Sequence, residues 1–183
     1  MVQRKVHSKK PKAGDWDVTA DGMNYRTTCN RPYWHEAHHI IPNGALHDAI
    51  LSVGKGTGLE GEIAAKIRDG LLQAGYNLNH KRNMMILPIE KQISDAICLP
   101  IHVDRSKAAN LRHTSYSAHV QQRLNEIFAP VKSKVDPSKH EIPNLEDTKT
   151  ELEMLSDTLR TDIKGAGRRA PGTFLEDNFK PTR

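Results

Sequence analysis

Residues 35–42 read HEAHHIIP. Three histidines fall within five positions, and two isoleucines and a proline follow at once. The β-branched pair and the turn residues Pro42-Asn43-Gly44 predict a short strand around His38–Ile41 that ends in a turn. Neighbouring residues of a strand point to opposite faces. His38 and His39 therefore cannot do the same job. Such a pair can split its work, one ring toward a metal ion and the other toward water or a substrate. The imidazole suits either role, because it ligates divalent metals when neutral and exchanges a proton near neutral pH.

Outward from that stretch, the chain divides by pattern. Residues 45–53, ALHDAILSV, carry Leu46, Ala49, Ile50 and Val53 on one helical face. GKGTG breaks the helix, and residues 59–75 form a second one with Gly75 as its C-cap. Met84 to Leu87 make a short apolar run closed by Pro88, and EKQISDAI supplies one or two helical turns. Residues 114–128 are amphipathic, with Tyr116, Val120, Leu124, Ile127 and Phe128 on one face and Thr114 or Ser115 as the cap. A helix over 144–164 follows, with Leu152, Leu155, Leu159 and Ile163 aligned and Gly165 ending it; the rest reads as a tail.

The composition, 37% hydrophobic and 27% charged over 183 residues, allows one packed domain with an extension. No run approaches the roughly 18 apolar residues of a membrane span, and no signal peptide is evident. Cys29 and Cys98, the only cysteines, exclude a four-cysteine zinc ribbon. The net charge of +5 sits in residues 1–12, which hold Arg4, Lys5, Lys9, Lys10 and Lys12 and no acid. Residues 1–22 accordingly read as a basic arm, equally able to attract phosphate or to act as a solubilising linker. A second basic excess lies between His80 and Asn125, across the histidine-rich part of the chain. There Lys81, Arg82, Arg105, Lys107 and Arg112 are candidates for phosphate contacts.

Eight of the ten histidines lie between positions 35 and 119. A strand, a turn, a second strand and the 114–128 helix would bring His38 near His113, with His102 or His80 as further candidate ligands. The order EAHHIIP, NLNHKRNMMILP, LPIH and RHTSYSAHV resembles the AHH group of the HNH/endonuclease VII nuclease superfamily. The resemblance runs over roughly 29–128. It departs at one point: VDRSKAANLR separates His102 from His113, which looks like a loop insertion.

The resemblance implies an α+β fold, mostly α, with a small ββα-metal core at 23–131 and a helical extension and tail at 132–183. It implies that His38 is a metal ligand and His39 the general base, that Asn83 orients this base, and that His113 and His102 complete the ligand set, with His80 as the substitute for His102. Lys81, Arg82 and Arg112 would then meet the substrate. The expected activity is metal-dependent hydrolysis of phosphodiester bonds in nucleic acid, DNA before RNA, with little sequence specificity. The expected cofactor is one divalent ion among Mg²⁺, Mn²⁺, Ni²⁺ and Zn²⁺. Members of this group commonly serve as bacterial toxin domains, which implies a cognate immunity protein, delivery by a specialised secretion system and action in a target-cell cytoplasm. The competing reading is a non-catalytic module in which the histidines hold a structural zinc and the surface binds nucleic acid or protein.

Overall fold

A computed structural model describes residues 12, 16, 25, 31–103, 113–136 and 141–180 and shows an α+β chain that is mostly helical. Strands β1 (His35–His39) and β2 (Met84–Pro88) pair antiparallel, with His35 opposite Pro88 and His39 opposite Met84. Between them the chain makes helices α1 (Asn43–Val53) and α2 (Glu60–Gln73). After β2 come α3 (Lys91–Ile97), α4 (Thr114–Phe128) and α5 (Glu146–Arg169). The expected basic arm at 1–22 lies outside the described residues except for Lys12 and Trp16. The Trp16 indole is buried edge-on against Tyr76.

The strand ends earlier than its β-branched residues predict. Ile40 and Ile41 lie beyond β1 and are fully buried in the core. The cause is Asn83: its backbone carbonyl takes the Ile40 N–H, and its side-chain amide takes both the N–H and the carbonyl of Ile41. A side chain thus replaces the next rung of the ladder, and the chain is released from the sheet into α1.

The α2 terminus follows its sequence signal. Gly75 adopts φ 78°, its N–H bonds to Leu72 O, and Tyr76 N–H bonds back to Leu71 O. Those two bonds are the Schellman pattern that a left-handed glycine makes possible. Gly165, by contrast, does not stop α5, which runs on to Arg169. Ala166 and Gly167 are buried, and a Cβ at Gly167 would lie 2.5 Å from the Cys98 carbonyl oxygen. Gly167 therefore serves close packing of α5 on the turn after α3, and the gain from that contact overrides the helix-breaking signal.

Nor is the rest of the chain a tail. Leu152, Leu155, Leu159 and Ile163 of α5 are in the core with Tyr116, Val120, Leu124 and Phe128 of α4. Leu175 is also fully buried, and Phe174 bridges to Ile101. The N-cap position of α4 is His113, which makes no side-chain cap bond. The carboxylate of Glu176 accepts the Ser115 and Tyr116 amides instead.

Candidate metal centre

The alternation of β1 sorts its side chains onto two faces. Glu36 and His38 share one; His39 takes the other. His38 is buried, with two residues from outside the strand beside it. His102 follows the bridge residue Ile101, and its own N–H is held by Pro88 O at the end of β2. His113 stands immediately before α4. His38 Nδ1 lies 3.1 Å from His102 Nε2, and His113 Nε2 lies 3.0 Å from that same nitrogen. The three ligand atoms are all within 4.8 Å of one another.

The Glu36 contact assigns the His102 tautomer. Glu36 Oε2 is 2.5 Å from His102 Nδ1, so that nitrogen carries the proton and donates it to the carboxylate. His102 Nε2 is left with a bare lone pair. One lone pair cannot accept good hydrogen bonds from two imidazoles at once, yet two nitrogens point at it. A cation resolves the arrangement. Metal–nitrogen bonds of about 2.0–2.1 Å place tetrahedral ligand atoms roughly 3.3 Å apart, close to the two separations at His102 Nε2. The histidine–carboxylate contact is also the usual support of a metal-bound imidazole. The donor set therefore fits a divalent ion, and an all-imidazole set favours the borderline-soft ions over Mg²⁺.

Electrostatics points the same way. Burial, and then the neighbouring His102 and His113, hold the His38 pKa well below the usual imidazole value. Burial, and then His102, pull the His113 pKa down to about 4. Both rings are therefore neutral at physiological pH, the form that ligates. Tyr116 packs beneath them, its ring centroid 5.2 Å from that of His38, and its hydroxyl donates to the Ile40 carbonyl. That bond ties α4 to the end of the strand that carries His38.

On the opposite face, His39 Nε2 donates to Asn79 Oδ1 at 2.8 Å. The bond fixes the tautomer and leaves Nδ1 as the basic nitrogen. Asn79 is itself held: its N–H donates to the buried Asn77 side chain at 2.8 Å.

Sequence reasoning placed the orienting asparagine at 83, and here the structure corrects it. The Asn83 amide is fully committed elsewhere, accepting from Ile41 N and Ser156 Oγ and donating to Ile41 O and Leu78 O. His80 is engaged too: its Nδ1 accepts the Arg82 N–H and caps the 3₁₀ turn Lys81–Asn83. The metal group among the described residues is His38, His102 and His113, despite the long stretch between the last two.

Of the expected substrate contacts, Lys81 is exposed on that turn. Arg82 is turned instead to α5, where Glu153 and Asp157 pair with its guanidinium. This also departs from expectation: two carboxylates occupy the group assigned to phosphate. Arg112 lies outside the described residues, as do Arg105 and Lys107. His35 is a bystander bonded to Tyr33 O. Asn79 is the residue that spacing alone does not single out as the partner of His39, and Glu36 reads from the sequence more simply as an exposed strand carboxylate than as a histidine partner. Glu36 had one available signal, its place two positions before His38 on the same strand face.

A short antiparallel sheet and a following helix, with three imidazoles gathered beside them, form a core of the ββα type. The family model that matches residues 19–152 is AHH, a nuclease family of the HNH/ENDO VII superfamily with conserved AHH. The chain belongs to that family, and Ala37-His38-His39 supplies the triplet. Its substrate is accordingly nucleic acid, and nucleases of this superfamily use a divalent metal. No curated protein and no solved structure matches the chain. Among the described residues, no helix is long and apolar enough to cross a membrane.

Proposed function

We propose that the chain is a metal-dependent endonuclease that hydrolyses phosphodiester bonds of nucleic acid, DNA before RNA, with little sequence specificity. The observation that carries this reading is the split of one strand. His38 joins two other imidazoles on one face, while His39, on the other, is held in a single tautomer by Asn79. His38, His102 and His113 would hold the ion, and Glu36 keeps the His102 proton on Nδ1. When bound, a divalent ion stabilises the charge that builds on the scissile phosphate and its leaving oxygen. His39 Nδ1 takes the proton from the attacking water, a step worth about 10²–10⁴-fold. Asn79 keeps the other ring nitrogen protonated, so the lone pair stays on Nδ1.

The family and the basic arm together support a role as an antibacterial toxin or effector. In that role the chain reaches a target-cell cytoplasm through a secretion system, and an immunity protein guards the producer.

The deciding experiment incubates the chain with supercoiled plasmid and with a structured RNA, each with Mg²⁺, Mn²⁺, Ni²⁺ or Zn²⁺, and with EDTA. Nicking and linearisation that need a metal and disappear in His39→Ala, with metal binding retained, are the expected result. A His39→Ala chain that cuts as fast as the parent removes the general-base assignment. A chain that binds zinc, unfolds on chelation and cuts nothing would instead be a structural-zinc module.

A further inference from the structure

We propose that residues 173–179, which lie beyond the part of the chain matched by the family model, are a structural component of the metal centre, with Glu176 as its positioning residue. The inference rests on the metal reading above and adds a segment of chain to it.

Two of the three ligands, His102 and His113, are not on a strand or inside a helix. One lies just after an isolated bridge, with its N–H bonded to the end of β2, and the other at a helix N-terminus, so each sits at the edge of a regular element. The segment after α5 touches the backbone beside both. It turns at Gly172, with φ 73°, and then runs parallel to Ile101. Ile101 N–H donates to Thr173 O at 2.8 Å, and Leu175 N–H donates to Ile101 O at 2.8 Å. The residue before His102 is thus fixed through both of its backbone polar groups.

One residue beyond Leu175, Glu176 reaches α4. Its Oε1 accepts the Ser115 N–H at 2.6 Å and its Oε2 the Tyr116 N–H at 3.3 Å. These are first-turn amides, which no bond within the helix can satisfy, and a negative charge there also suits the helix dipole. Phe179 then packs edge-on against Tyr116, with centroids 4.9 Å apart. A single short segment therefore grips the residue before one ligand and two first-turn residues of the helix after the other. A metal–imidazole bond is about 2.0–2.1 Å long with little tolerance, so loosening either backbone by an ångström costs a ligand.

The test is a Co²⁺ titration of the full chain, followed by its visible absorption, with Zn²⁺ competition as a second readout. The parent is expected to bind. Glu176→Ala should weaken Co²⁺ binding by about 10–100-fold, the usual effect of removing a group that positions a ligand, and should alter the Co²⁺ spectrum. Glu176→Gln keeps one acceptor oxygen and should fall between the two. Thr57→Ala, which removes a cap in the α1–α2 turn, is the control for general destabilisation and should bind Co²⁺ as the parent does.

If Glu176→Ala loses its far-UV circular dichroism, Glu176→Gln decides the question. Parental affinity and spectrum in the folded Glu176 variants would overturn the proposal and leave the metal reading standing. A weakening in Thr57→Ala equal to that in Glu176→Ala would also overturn it. A parent that takes up no Co²⁺ overturns the metal reading and this one together.

Discussion

The two faces of β1 differ in how their histidines are supported. His38 faces inward, buried, with two imidazoles and a tyrosine ring around it. His39 is only partly buried and is held by one amide oxygen. The inward face is built from pieces distant in sequence, since Glu36 and His102 are 66 residues apart. The outward face is also stapled at long range, but by one residue, Asn79, 40 positions away. A ligand must be fixed in three dimensions, while a base must be fixed in tautomer and still reach water. The strand meets both requirements with adjacent residues because a one-residue step reverses the side chain.

The difference can be broken most sharply at the pair itself. His38→Ala should abolish both metal uptake and cleavage. His39→Ala should lower kcat by about 10²–10⁴-fold while leaving the metal affinity within about a factor of two. Isothermal titration of the two variants beside plasmid cleavage checks this, and metal loss in His39→Ala would mean the faces are not separate.

The asparagines give the next largest contrast. Asn79→Ala should cost about 10²-fold in kcat, the scale of a misplaced reacting group, with little change in Tm. Asn83→Ala leaves buried backbone groups of Ile41 and Leu78 without partners, so it should lose about 2–4 kcal/mol of stability. Chemical denaturation beside kinetics reads both, and reversed phenotypes would return the orienting role to Asn83.

Glu36→Gln tests the inward face from its edge. It should weaken metal binding by about 10–100-fold without the complete loss expected of a ligand variant. Unchanged affinity would make the Glu36–His102 contact incidental.

The smallest effect belongs to the Arg82 pair on α5. The Arg82 hydrogen bond, opposed by some burial and aided by its charge, holds the Asp157 carboxyl below its usual range. A carboxylate so depressed contributes stability above its unfolded pKa and loses it as pH falls through the folded value. Asp157 is half exposed, so Asp157→Asn should cost less than about 1 kcal/mol at neutral pH, and nothing once the carboxylate is protonated. It should leave cleavage unchanged; faster cleavage would show that the pair restrains Arg82 from phosphate.

Much of this was legible in the sequence for reasons that are local. The α4 boundaries follow from an unbroken apolar stripe, and the split of His38 from His39 follows from strand alternation. The resemblance, more than any local pattern, points to His102 and His113 beside His38, and the structure gathers the three rings. What stayed hidden depends on contacts no window contains. Asn79 and Asn83 are alike in sequence, and only the 3₁₀ turn between them decides which faces His39. Gly165 to Gly167 signal a helix end, but the backbone at 98–99 rewards continuing. Residues 173–179 have no periodicity because backbone hydrogen bonds and one carboxylate hold them, and neither leaves a pattern.

The Arg160 side chain draws a last consequence from the long α5. Its Nη2 donates to the carbonyls of Lys81, Arg82 and Met84, the backbone that leads from Asn79 into β2. These contacts join positions 76–79 residues apart. Together with the Glu176 clamp, they place both supports of the site C-terminal to every residue that they hold.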